Sequence, residues 1–213
     1  MAAATQLSLY NGALRALGQT KLSSLSEDRE ARYVLDDEWA DDPIKACLEM
    51  GLWNFAMASV SITQNVSETP LFGYTYAFDK PANWVRTAAV CYDEYFKTPN
   101  LEYNDETVFY FANVTPIYVQ YISDDVDYGR DYSIWPESFR TFVHHYLAWK
   151  ICPTLIKNSS ERDVIFELYK EARSEAKNRD AMNEATRFPP QGTWTRGRRG
   201  GSRDRGNRGS LLG

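Results

Sequence analysis

The chain has 213 residues, 14% of them aromatic, enough for one domain with a sizeable core or a compact domain carrying an elaborated insertion. No run approaches the roughly 20 apolar residues that span a bilayer, and residues 1–12 lack the basic and then apolar order of a signal peptide, so the expectation is a soluble protein made and used in a cytoplasm. The net charge of -5 hides a split: residues 187–213 hold seven arginines against Asp204 alone and carry +6, which leaves -11 on the remainder and suggests two surfaces with different partners.

The first predicted element is a helix, because Leu7, Tyr10, Leu14 and Leu17 recur at spacings of three and four. Thr5 is placed to cap its start and Gly18 to stop it. A second helix is predicted from Ser26, with Arg29 standing where a capping-box acid belongs and Ala31, Val34, Leu35 and Trp39 on one face. Asp42 and Pro43 read as a fresh N-cap and first helical position, after which Ile44, Leu48, Leu52 and Phe55 continue the stripe.

From about Ser59 to Ser133 the texture changes. Turn formers such as Pro70, Gly73, Pro81, Asn83, Pro99 and Asn104 separate short runs rich in Val, Ile, Tyr and Phe, the pattern of an antiparallel sheet. Residues 107–112 and 117–122 look like a hairpin closed by Asn113, Val114, Thr115 and Pro116, with Ile117, Val119 and Tyr121 alternating onto one face. Helices return after Trp135 and Pro136. Phe139, Phe142, Val143, Tyr146, Leu147 and Ile151 form a stripe that Pro153 bends or ends. A loop at residues 157–160 leads to a last helix with Ile165, Leu168, Tyr169, Ala172 and Ala176 on one side; beyond Ala176 its apolar face runs out, so that end is either solvated or covered by a partner.

The expected fold class is therefore α+β. A helical bundle is formed by residues 1–58 and 135–186, an antiparallel β domain is inserted at 59–134, and residues 187–213 form an extended basic tail. That tail, with seven glycines from Gly192 onward, cannot bury enough apolar area to offset about 1–2 kcal/mol of backbone entropy per residue and is expected to be disordered in the free subunit.

No catalytic constellation is legible. Neither a G-x-S-x-G elbow nor a phosphate-cradling glycine loop is present. His144 and His145 are the only histidines, and consecutive helical residues point about 100° apart, so they cannot chelate one metal as an i, i+4 pair would; a structural role is expected. Asp124, Asp125 and Asp127 lack the glycine and distal glutamate of an EF-hand loop and read as a solvated hairpin end. Cys47, Cys91 and Cys152, odd in number and far apart, read as reduced core thiols. No enzyme activity, cofactor or metal is expected. In the tail, Trp194 with Arg196, Arg198 and Arg199 has the composition of an interface anchor, and its arginine forks suit phosphates or carboxylates equally.

Four segments carry a resemblance. Leu52-Trp53-Asn54-Phe55-Ala56, the run from Phe78 to Arg86, the strand Ile117-Tyr118-Val119-Gln120-Tyr121 leading to Trp135 and Pro136, and the final helix followed by a Pro-containing tail with Trp194 and Arg196 resemble, in this order, the tail tubular protein A family of head-to-tail adaptors in short-tailed phages. The second segment departs from the family pattern at Lys80 and Asn83. The resemblance implies a structural subunit of a ring, dodecameric in the family, at the head-tail junction of the virion and assembled in the host cytoplasm. It further implies a portal protein bound through the tail residues Trp194, Arg196, Arg198 and Arg199, tail nozzle or other tail proteins below, genome DNA passing through the lumen, and no membrane partner. A nucleic-acid-binding protein working through its Arg- and Gly-rich tail is the alternative reading.

Overall fold

The computed structural model describes residues 5–70, 72–156 and 158–183, and all structural statements refer to these. Helix α1 (Gln6–Ala16) starts at a reciprocal cap: the Thr5 hydroxyl accepts from the Ser8 amide at 3.2 Å, while Ser8 Oγ accepts from the Thr5 amide at 2.8 Å. Its far end needs a left-handed residue, supplied by Gly18 at φ +67°, and the next amide, of Gln19, closes on the Leu14 carbonyl at 2.8 Å. Helix α2 (Glu30–Ala40) begins four residues later than the sequence pattern suggests. The reason is Arg29, which stays extended and donates through its guanidinium to the Thr20 and Lys21 carbonyls, tying down the loop instead of entering the helix.

Helix α3 (Pro43–Glu49) has Asp42 as its cap and Pro43 at its first position, as the sequence indicates. Its end at Glu49 resets the phase of the stripe. Leu52 is 46% exposed while Trp53 is buried, and Phe55 lies in a single 3₁₀ turn at Asn54–Ala56. The expected continuation through Leu52 is therefore wrong.

Six strands follow, forming two three-stranded antiparallel sheets, so the class is α+β. One sheet has the order β1 (Met57–Ile62), β6 (Ile117–Ser123), β3 (Trp84–Cys91); the other has β2 (Tyr76–Asp79), β5 (Phe109–Ala112), β4 (Tyr103–Asp105). The expected hairpin between residues 107–112 and 117–122 does not form. Both β5 and β6 are central strands whose two edges are already paired, so the 113–116 connection carries the chain from one sheet to the other. The alternation read in β6 holds, with Ile117, Val119 and Tyr121 buried against Phe78, Val90 and Tyr110 in a core between the sheets. Ile122, one residue out of phase, joins Val85 in the helical core, so β6 contributes to both cores.

Helix α4 (Glu137–Leu155) buries the predicted stripe and runs two residues past Pro153. Carbonyls at its end, which no helical amide can reach, accept from Arg162: Nε donates to the Ile156 carbonyl at 2.8 Å and Nη2 to the Pro153 carbonyl at 2.9 Å. Helix α5 (Ser159–Met182), capped by Asn158, packs along α4 through Ile165, Tyr169, Ala172 and Ala176, whereas Leu168 lies at the edge of this face and is 36% exposed. Trp53, Phe55, Trp135, Phe139 and Phe142 interlock with ring centroids 4.7–6.5 Å apart, and Tyr169 extends this array to Trp149.

Candidate functional site

The four tail residues singled out by sequence, Trp194, Arg196, Arg198 and Arg199, lie outside the described residues. Asp180, in the last turn of α5, is 7% exposed and accepts from the Asn54 amide at 3.1 and 3.2 Å, while Asn54 Nδ2 donates to the Asp180 carbonyl at 2.8 Å. The end of α5 was expected to be solvated or covered by a partner: Lys177, Asn178, Arg179 and Asn183 are exposed, and Asp180 alone departs, buried by the chain's own Trp53–Ala56 segment. Trp53 completes the joint, its indole donating to the Cys47 carbonyl at 3.1 Å.

The second segment of resemblance forms another joint, and both of its departures from the family pattern are satisfied locally. Lys80, whose side chain is 6% exposed, forms an ion pair with Asp105 and lies 3.7 Å from the Trp84 ring centroid and 5.0 Å from that of Tyr110. Thr87 Oγ1 joins this group, donating to Asp105 at 2.7 Å and sharing a hydrogen bond with the Tyr110 hydroxyl at 2.9 Å. Burial pushes the Tyr110 phenol well above its ordinary range, so it stays protonated and serves as a fixed polar strut. Asn83 donates to Asp125 at 3.1 Å and accepts from the Tyr121 hydroxyl at 3.1 Å. Arg86 donates to the Glu49 carbonyl at 3.2 Å, linking β3 to the end of α3.

The acidic cluster is not a solvated hairpin end. Asp124 pairs with Arg130 at 3.5 Å, and Arg130 also grips Asp42, the α3 cap. Asp125 accepts from Asn83 and from the Asp127 amide at 3.0 Å. These carboxylates fasten the loop between β6 and α4 to α3. Among the described residues, no group of three or more His, Cys, Asp or Glu is arranged to hold a metal ion. The three cysteines are buried thiols outside any disulfide, as read from the sequence, and burial raises the Cys47 and Cys152 thiols above their ordinary value. No helix among the described residues is long and apolar enough to cross a membrane.

Two of the clefts among the described residues bring aromatic or titratable side chains together. On the second sheet, Phe72 (86% exposed), Tyr74, Phe109 and Phe111 line a cleft of about 450 Å³ with Glu68 and Glu106 at its margin. Between α1 and α4, Arg15, Glu137, Thr141, His144 and His145 line a cleft of about 280 Å³. There His144 lies so close to α1 that a Cβ on Gly12 would stand 2.3–2.5 Å from its ring. Burial, and then the charges of Arg15, His145 and Arg140, lower the His144 pKa to about 4, and burial also lowers that of His145.

No protein-family model and no curated protein matches the chain.

Proposed function

We propose that the chain is a structural adaptor of a phage virion, a ring subunit that joins the portal to the tail and lets DNA pass through its lumen. In this reading the fold is a helical bundle, residues 1–58 and 135–186, with an inserted β domain at 59–134 and a basic C-terminal extension. The observation that carries it is the position of the segments of resemblance. Trp53–Ala56 joins α3, β1 and α5, and Phe78–Arg86 joins the two sheets and reaches α3. Strand β6 contributes to both cores. Segments that fix how helices and strands meet are what a shared architecture requires.

The exposed aromatic face around Phe72 adds support, because contiguous apolar surface of this kind suits a chain that meets other chains. So does the charge split: a body at -11 repels DNA phosphates and would let a genome slide, while the +6 segment suits a carboxylate-bearing portal. Mass spectrometry of purified virions, with copy number, tests the reading: the chain is expected in ring stoichiometry with the portal. Removal of residues 188–213 is expected to abolish attachment to DNA-filled heads while the remainder stays folded. Absence from virions, together with salt-sensitive binding of DNA or RNA by the isolated full chain, would instead establish the nucleic-acid-binding alternative favoured by the seven tail arginines.

A further inference from the structure

We infer that the cleft between α1 and α4 is a binding site for a tetrahedral oxyanion of the phosphate class, held by the Arg15 guanidinium, the Thr141 hydroxyl and the imidazoles of His144 and His145. The inference does not depend on the ring reading.

Helix geometry places the site. Glu137, Thr141, His144 and His145 fall at spacings of three and four and share one face of α4, so the histidines that cannot chelate one metal do flank one cleft. Across from them α1 presents Gly12, Arg15 and Ala16, and the missing side chain at Gly12 is what lets the His144 ring lie against that helix. The cleft of about 280 Å³ is ample for a tetrahedral anion.

Its chemistry is unbalanced towards cations. Arg140 pairs with Glu137 at 2.9 Å, which neutralises the cleft's one carboxylate, whereas Arg15 makes no ion pair among the described residues. His145 Nδ1 is buried without a hydrogen-bond partner among those residues, and a turn of the ring towards the cleft would let a ligand oxygen satisfy it when that nitrogen carries the proton. The groups facing His144 are Arg15 on α1 and His145, Arg140 and Glu137 on its own helix. Two guanidiniums around a partly buried imidazole oppose a further positive charge, and an oxyanion bound among them reverses that opposition.

The test uses the full chain, whose two histidines give two assignable ring resonances in NMR spectra. Inorganic phosphate is titrated at neutral pH against chloride of equal ionic strength, with diethyl phosphate as a second probe standing in for a nucleic-acid backbone. Saturable shifts of both rings are expected, with binding weakened about tenfold in Arg15→Gln by loss of a charge-assisted contact. A response to both probes assigns the site to backbone phosphates, and a response to phosphate alone assigns it to free or terminal phosphate. A second reading comes from pH: saturating phosphate is expected to raise the His144 midpoint by about one pH unit or more. Arg15→Gln, on an exposed position, serves as the variant least able to disturb folding. The inference is overturned if the ring shifts in phosphate match those in chloride, or if Arg15→Gln responds as the parent does.

Discussion

Replacing Asp180 tests whether the last turn of α5 is fixed by its partner across the chain. Asp180→Ala removes a 7%-exposed carboxylate that accepts the Asn54 amide at 3.1 and 3.2 Å, and it leaves that amide without its acceptor. A hydrogen bond to a charged group contributes about 1.5–3 kcal/mol, and a stranded buried donor costs about 1–3 kcal/mol, two views of much the same loss. The expected destabilisation is therefore about 3 kcal/mol. In a compact unit of 183 residues, each kcal/mol lowers Tm by about 2–4 °C, which gives a fall of roughly 6–12 °C. Asp180→Asn keeps an oxygen acceptor but not the charge and is expected to cost about 1 kcal/mol. Thermal unfolding followed by circular dichroism gives the stabilities, and hydrogen exchange at the Asn54 amide gives the local effect, expected as faster exchange in Asp180→Ala. A change below about 0.5 kcal/mol, the range of ordinary surface substitutions, with Asn54 still protected, would refute the reasoning.

Three further outcomes follow from the same geometry. Lys80→Met strands Asp105, and because that carboxylate is 32% exposed and can rehydrate, urea denaturation is expected to show a loss of about 2 kcal/mol, below the 3–5 of a fully buried pair; adding Asp105→Asn should restore part of it. Gly12→Ala drives a methyl group to within 2.3–2.5 Å of the His144 ring and is expected to cost about 1–3 kcal/mol, with recovery in the His144→Ala background if the clash is the cause. His144 is neutral in the folded chain down to a pKa of about 4, so the unfolded chain takes up its proton first; stability is full above about pH 6.5 and is lost as pH falls towards 4, by up to about 3 kcal/mol. His144→Gln is expected to flatten that part of the stability-pH curve, and an unchanged slope would assign the loss to other groups.

Local signals in the sequence located most helices. The Thr5 cap, the Gly18 stop, the Asp42-Pro43 restart and the α4 stripe each depend on neighbours within a few residues, and each appears in the structure. The failures are non-local. Strand β6 pairs with β1, so that Met57 meets Ile122, and with β3, whose Trp84 meets Ser123; the alternation of Ile117, Val119 and Tyr121 is the same whichever strand lies beside it. Proximity in sequence favoured the adjacent run 107–112, and only the pairing of that run with β2 and β4 removes the option. The delayed start of α2 has a similar origin, since Arg29 is held by carbonyls eight and nine residues upstream.

At the candidate sites the same division holds with sharper consequences. Asp180 reads as solvent-facing because its neighbours Lys177, Asn178 and Arg179 are polar; its buried state is visible only through Asn54, 126 residues away. Helix geometry alone sets the two histidines about 100° apart, yet the cleft they flank exists only once α1 packs on α4, and the signal in the sequence was Gly12, a glycine in the interior of a helix. Lys80 and Asn83 offer the clearest case. In the sequence they are only departures from the pattern that the segment resembles, and in the structure each is matched by its surroundings: Lys80 by Asp105 and the Trp84 ring, Asn83 by Asp125 and the Tyr121 hydroxyl. A polar residue in a partly buried position is tolerated when the fold supplies its partners, because the desolvation cost is then offset by hydrogen bonds and charge. The departures therefore report on how this chain joins its two sheets and holds the loop after β6, and variation of Asp105 or Asp125 should be read together with them.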